Sequence, residues 1–207
     1  MSAQKALVYI VEDAPSFRKS TERLLRASGF ETVSFDSANA FLALPHIRRP
    51  ACLLLDVRLP DIDGLDLQQE LVKRGNRLPI VFMTGHGNIP LSVRAMKQGA
   101  EDFLPKPFKA EVLQNAILRA LERDTQNVEK EIEAARAKSL IETLTPREKE
   151  VLRWVIAGKP NKQIAFALGT TEKTIKVHRS RVMQKTKVSS VAELVRLAEQ
   201  AGISPAV

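Results

Sequence analysis

Over the first half of the chain, short apolar runs alternate with longer stretches in which apolar residues recur every three or four positions. The short runs are "LVYIV" (7–11), "TVSF" (32–35), "ACLLLD" (51–56), "PIVFMT" (79–84) and "AEDFL" (100–104). Helical-period stretches follow them at 16–29, where Phe17, Leu24 and Leu25 share a face, at 37–44, 65–75 and 89–99, and from about Lys109 onward. Strands that are apolar throughout belong to a sheet covered on both faces. Five strands alternating with five helices predict an α/β fold, a doubly wound five-stranded parallel sheet.

The pattern then changes. No Gly or Pro occurs between Pro107 and Pro146, which predicts one long helix through the middle of the chain. Thr125, Val128, Ile132, Ala135 and Ser139 form a weak stripe along it, a candidate dimer contact. The last third predicts four short helices, at 145–158, 161–169, 171–186 and 190–202. The first of these opens with Thr145, Pro146 and Glu148, the spacing of a capping box. The expected organisation is an α/β domain over 1–121, a helical linker over 122–140 and an all-α four-helix domain over 141–207.

Composition narrows the class. Of 207 residues, 44% are hydrophobic and 27% charged, an ordinary globular balance. No run approaches the roughly 20 apolar residues needed to cross a bilayer. Leu7–Val11 is too short for the apolar part of a secretory signal, so the expected location is the cytoplasm, with no membrane partner. The single cysteine, Cys52, sits in an apolar run and is expected to pack in the core. The net charge of +8 is uneven: residues 1–121 carry +3, 122–144 carry −2, and 145–207 carry +7. A compact basic unit behind a nearly neutral one suits nucleic-acid binding by the C-terminal third.

Ligands of an open parallel sheet gather beyond the carboxyl ends of its strands. Glu12 and Asp13 follow the first strand, Asp56 ends the third, Thr84 ends the fourth, and Lys106 follows the fifth. Converging carboxylates call for a hard cation with oxygen ligands, and Mg²⁺ (or Mn²⁺) is the usual one where phosphate is handled. With a hydroxyl at Thr84 and an ammonium at Lys106, the set suits phosphoryl transfer onto a carboxylate. Singly, each residue has a plainer reading: Glu12 and Asp13 as helix caps, Thr84 as a strand-end hydroxyl, Lys106 as a solvated loop lysine. Their joint placement at the ends of the expected strands favours chemistry.

In "NKQIAFALGTTEKTIKVHRSR" (161–181), Ile164 and Leu168 make one apolar face and Gly169 allows a sharp turn. In the next helix Ile175, His178, Val182 and Thr186 fall on one side. Lys173, Lys176, Val177, Ser180, Arg181 and Gln184 project from the other. That face suits the DNA major groove, where Lys can donate to guanine and Val can touch a thymine methyl.

The motifs "VEDA", "LLLDVRLPDIDG", "VFMTGHG" and "DFLPKPF" resemble the receiver domain of two-component response regulators across residues 5–121. The resemblance implies that Asp56 is the phosphoacceptor, forming a 4-aspartylphosphate from a sensor histidine kinase. It implies that Glu12, Asp13, Asp56 and the Arg58 backbone carbonyl hold Mg²⁺, that Thr84 and Lys106 contact the phosphoryl group, and that the Lys106–Pro107 bond is cis. Thr84 and Phe103 are then the switch pair, remodelling the face of the fourth helix and fifth strand. Arg58 and His86 stand where the family tunes phosphate lifetime. Kinase choice is expected on the first helix, around Pro15, Phe17, Arg18 and Thr21.

"LTPREKEVL", "NKQIA", "TIKVH" and "VMQK" resemble the LuxR-type (FixJ/NarL-type) helix-turn-helix over 141–200, and the receiver motifs look closest to the FixJ-like branch. By resemblance the helix-turn-helix spans about Asn161 to Ser180, and the helix over 172–186 reads the groove. Lys176 and Val177 contact bases, with Lys173, Ser180 and Arg181 beside them. Thr174 and Lys185 touch phosphates, His178 belongs to the core, and the last helix is the dimer contact on DNA.

The expected function is a phosphorylation-activated transcriptional regulator that binds promoter DNA and changes its homodimerisation on phosphorylation. RNA polymerase is a further candidate partner. A phosphohydrolase with an aspartyl-phosphate intermediate would want a second Asp two residues past the nucleophile, and Arg58 stands there. A receiver-like DNA-binding protein acting independently of phosphorylation is the remaining alternative.

Overall fold

All five apolar runs become strands. The computed structural model describes residues 6–85 and 89–206; His86 lies outside the described residues. β1 (Leu7–Val11), β2 (Glu31–Phe35), β3 (Ala51–Asp56), β4 (Ile80–Thr84) and β5 (Asp102–Pro105) pair in parallel in the order β2-β1-β3-β4-β5. Successive crossovers leave β1 in opposite directions, so a crevice opens beyond the carboxyl ends of β1 and β3. The fifth strand begins later than the apolar run suggested. Gly99 and Ala100 donate their N–H groups back to Met96 and Ala95, closing the preceding helix, and cross-strand bonding starts only at Glu101.

Helices α1 (Pro15–Ala27), α2 (Ala38–Leu42), α3 (Gly64–Lys73), α4 (Ile89–Lys97) and α5 (Ala110–Glu142) cover both faces. Alternate strand residues point to opposite sides of the sheet. Tyr9, Val11, Leu53, Leu55 and Phe82 pack with Phe41, Leu65, Leu67, Leu71 and Ala95 of α2, α3 and α4. Val8, Ile10, Cys52, Leu54 and Met83 pack with Leu25 of α1 and with Leu113, Ala116 and Ile117 of α5. Cys52 is fully buried, and burial pushes its thiol far above the usual range, so it packs and does not react.

The chain forms two compact units, one up to Val128 and the other from Glu129. α5 is a single helix, as the absence of breakers predicted. In the first unit Asp124 is fully buried and carries an ion pair with Arg49, 2.7 Å from Nη2. Its other oxygen accepts from the Ala51 N–H at 2.8 Å, at the start of β3. In the second unit Ala137 and Ile141 are core residues. Between these points, Thr125, Ile132, Ala135 and Ser139 of the expected stripe are exposed, and Val128 is half-buried.

The second unit adds α6 (Pro146–Ile156), α7 (Asn161–Ala167), α8 (Glu172–Thr186) and α9 (Val191–Gln200). Val151, Leu152, Val155, Ile164, Ile175, Val182 and Leu194 make its core, with Trp154 packed against it. The predicted capping box forms: Thr145 accepts from the Glu148 N–H, and Glu148 accepts from the Thr145 N–H at 2.9 Å. Gly169, at φ +61°, makes the α7–α8 turn in a left-handed conformation that favours glycine.

Candidate phosphoacceptor site and nucleic-acid interface

Register brings the candidate residues together. Val11 pairs with Leu55, Asp56 with Met83, and Thr84 with Pro105, so the carboxyl ends of β1, β3, β4 and β5 lie side by side. Glu12, Asp13 and Asp56 each offer a carboxylate oxygen within 4.8 Å of the others. The Lys106 ammonium lies 2.5 Å from Glu12 Oε2 and 2.7 Å from Asp56 Oδ2, and the Lys106 backbone N–H donates to the Thr84 carbonyl at 2.7 Å. The Lys106–Pro107 peptide is cis. Glu12, Asp56 and Thr84 are buried, while Asp13 is exposed. Arg58 donates its N–H to Asp56 Oδ1 at 3.2 Å.

Thr84 does end β4, but the helix-cap reading of Glu12 and Asp13 and the solvated-loop reading of Lys106 do not fit this geometry. The N-cap of α1 is Ala14, with no side-chain cap, and Lys106 is only 16% exposed in its side chain. Burial raises the Glu12 pKa, and the nearby Asp56 adds to this, while Lys106 opposes it. Three carboxylates against one ammonium leave two negative charges in a small volume. That hard-oxygen donor set fits a divalent cation of the Mg²⁺ kind.

Some contacts at this site were not legible in the sequence. Arg18, expected near the kinase-choosing surface, donates to the backbone carbonyls of Glu12 and Asp13 at 2.5 and 3.1 Å. Thr21, expected beside it, is buried. Gly64 donates to the Val57 carbonyl at 2.8 Å, and a Cβ there would stand 2.4 Å from the Asp56 carbonyl oxygen. Only glycine lets α3 start this close to the strand end; the Asp-Gly at the end of the "LPDIDG" run was its visible signal. Phe103 is half-buried against Phe82, with ring centroids 6.3 Å apart.

On α8, Ile175, Val182 and Thr186 are buried, whereas Lys173, Lys176, Val177, Ser180, Arg181 and Gln184 are all exposed. Thr174 and Lys185 are already engaged. Thr174 donates its backbone N–H to the hydroxyl of the N-cap Thr171, and the two hydroxyls are 2.9 Å apart; Lys185 lies 2.7 Å from Glu148 Oε2 and 3.3 Å from the Thr143 carbonyl. The Thr186 hydroxyl donates to the Val182 carbonyl at 2.7 Å, which answers the polarity of a hydroxyl at a core position.

Burial would raise the Glu148 pKa, but hydrogen bonds from Lys185 and Thr145 more than compensate and hold it below the ordinary value of 4.5. A depressed carboxyl pKa contributes stability that is present above the unfolded value and lost as pH falls through the folded one. Glu148→Gln is therefore expected to cost the second unit about 1–2 kcal/mol at neutral pH, less than a fully buried pair because Lys185 is partly solvated. The difference from the parent should shrink below about pH 4.5. Trp154 is the single tryptophan, so its fluorescence during urea unfolding reads this unit alone. An undiminished difference at pH 3.5 would contradict the assignment.

Comparison with known families supplies the rest. Residues 8–118 match the family described as response regulator receiver domain, and residues 142–198 match bacterial regulatory proteins, luxR family. The chain belongs to the response regulators. Nodulation protein W of Bradyrhizobium diazoefficiens is 47% identical over 203 residues, covering 98% of this chain and 89% of that protein. Transcriptional regulatory protein FixJ of Rhizobium meliloti is 40% identical, covering 96% of this chain and 97% of that protein. Among solved structures, the response regulator StyR is 43% identical with a TM-score of 0.81, covering 95% of this chain and 100% of that one. Full-length FixJ from B. japonicum is 40% identical with a TM-score of 0.59, covering 97% and 98%. This response regulator therefore couples a receiver to a LuxR-type DNA-binding domain and is a transcription factor of a two-component system. Its receiver implies a histidine kinase partner. Among the described residues, no helix is long and apolar enough to cross a membrane.

Proposed function

We propose that the response regulator accepts a phosphoryl group on Asp56 from a sensor histidine kinase and that this changes its dimerisation and promoter binding. The observation that carries the reading is the Asp56 carboxylate flanked by Glu12, Asp13 and the Lys106 ammonium at the sheet's carboxyl edge. In the transfer, an Asp56 oxygen forms a bond to phosphorus, the P–N bond of the kinase phosphohistidine breaks, and the imidazole leaves. Glu12, Asp13, Asp56 and the Arg58 carbonyl would hold Mg²⁺ or Mn²⁺, which when bound neutralises charge on the phosphoryl oxygens. Lys106 supplies fixed positive charge and Thr84 a hydroxyl where charge develops. Beyond this transfer and the hydrolysis of the aspartyl phosphate, which returns the Asp56 carboxylate and releases inorganic phosphate, the chain is a switch and not an enzyme.

Thr84 and Phe103 are the proposed switch, acting on the α4–β5 face, where Val93 and Met96 stand exposed and ready for a second copy. The receiver is assigned to 1–121, the linker to 122–140 and the DNA-binding domain to 141–207, in a cytoplasmic homodimer that places α8 in the major groove, where RNA polymerase is a further partner. Lys176 and Val177 are the proposed base contacts, with Lys173, Ser180 and Arg181 flanking them. The exposed Lys176 ammonium contrasts with Lys185 and Thr174, whose proposed phosphate contacts would need new partners.

Incubation with acetyl phosphate and Mg²⁺ should add one phosphoryl group by intact mass, mapping to Asp56. An unmodified, folded protein counts against the reading. Lys176→Ala should narrow the preference for operator over random DNA by about 1–3 kcal/mol. Undiminished discrimination would remove Lys176 from the readout.

A further inference from the structure

We infer that Phe17 is a positioning residue for Lys106, its ring holding the ammonium beside Asp56 and so setting the rate of phosphoryl transfer. The inference rests on Asp56 as phosphoacceptor. Three groups surround the Lys106 Nζ: Glu12 Oε2 at 2.5 Å, Asp56 Oδ2 at 2.7 Å, and the centroid of the Phe17 ring at 4.2 Å. The third is neutral and comes from the first turn of α1, which starts at Pro15. The ring is itself held. Phe108, two residues past Lys106, meets it edge to face with centroids 5.8 Å apart and planes at 84°, and both pack against the layer between the sheet and α1 and α5.

An aromatic face attracts a cation through its quadrupole but takes no N–H donor away from the carboxylates. The ammonium is therefore kept out of bulk water while its donors stay aimed at Asp56. An aliphatic side chain would fill much of the same volume without the negative face, and the flexible lysine stem would then turn toward solvent. Such a turn withdraws positive charge from the point where the transferring group develops negative charge. With acetyl phosphate as donor, an Asp56 oxygen bonds to phosphorus, the donor's P–O bond breaks, and acetate leaves with the electron pair.

The test compares the full-length parent with Phe17→Leu and Phe17→Tyr in acetyl phosphate and Mg²⁺, following intact mass against time. Phe17→Leu should slow incorporation about three- to tenfold, and Phe17→Tyr, which keeps the ring, should stay within about twofold of the parent. The second readout needs no variant. In the parent carrying ¹³C-labelled lysine, the methylene beside the Lys106 ammonium should be shifted upfield by the ring current, and Phe17→Leu should lose that shift. Equal rates for Phe17→Leu and parent would overturn the inference. So would a Phe17→Tyr protein as slow as Phe17→Leu, or a parent with no upfield shift. A parent that shows the shift yet takes up no phosphoryl group would overturn the phosphoacceptor reading, and with it the rate effect, while upholding the Phe17–Lys106 pairing.

Discussion

Asp56→Asn is expected to leave operator affinity unresponsive to acetyl phosphate, where the parent gains about five- to 150-fold. The substitution keeps the shape of the side chain and an oxygen that can accept from the Arg58 N–H, so β3 and the apolar layers beneath it need not move. What it removes is the proposed carboxylate nucleophile, for which the amide is no substitute. The check is a binding titration on a duplex selected from a random pool by the phosphorylated parent, with sedimentation to follow dimer formation. An Asn protein that gains affinity alongside the parent would sink the assignment of Asp56. A parent that binds equally tightly with and without acetyl phosphate, once phosphorylation is verified by mass, would favour the phosphorylation-independent alternative.

Asp124→Ala is expected to destabilise the receiver by about 3 kcal/mol, the usual cost of removing one member of a buried, hydrogen-bonded ion pair. Asp124 is fully buried and holds both the Arg49 guanidinium and the Ala51 N–H. The alanine variant takes a bidentate partner from Arg49 and the acceptor from an amide at the root of β3. Urea unfolding followed by far-ultraviolet circular dichroism should show the receiver transition moved to lower denaturant, with the Trp154 fluorescence transition of the second unit reported separately. A loss below about 1 kcal/mol would mean that water replaces the carboxylate, and the site would rank with ordinary surface pairs.

The features legible in the sequence are those with short-range signatures. Continuous apolar runs specified strands covered on both sides, and the carboxylates and Lys106 stood immediately beyond them. The Thr145–Glu148 box and the exposed face of α8 follow from spacings of three and four. Features that depend on distant partners were not legible. Asp124 and Arg49 are 75 positions apart, and an acid in a charged linker reads as a solvated one until the fold buries it. Lys185 was expected to touch phosphates, yet Glu148, 37 positions earlier, holds its ammonium. Phe17 carried an ordinary helical-face signal, and nothing local tied it to a lysine 89 positions later. Gly64 was visible as a turn residue, but its close approach to the Asp56 carbonyl arises only when α3 docks.

The Asp124 anchor also bears on where this protein can be cut. The family match to the receiver ends at residue 118, and the sequence pattern puts the domain's edge at Leu121, three residues before the carboxylate that secures the root of β3. A receiver fragment ending at either point would carry every residue of the acidic cluster yet lack its own electrostatic keystone. A fragment running to Val128 would keep it, so the length of α5 left attached decides whether the isolated receiver has the stability it has in the whole chain.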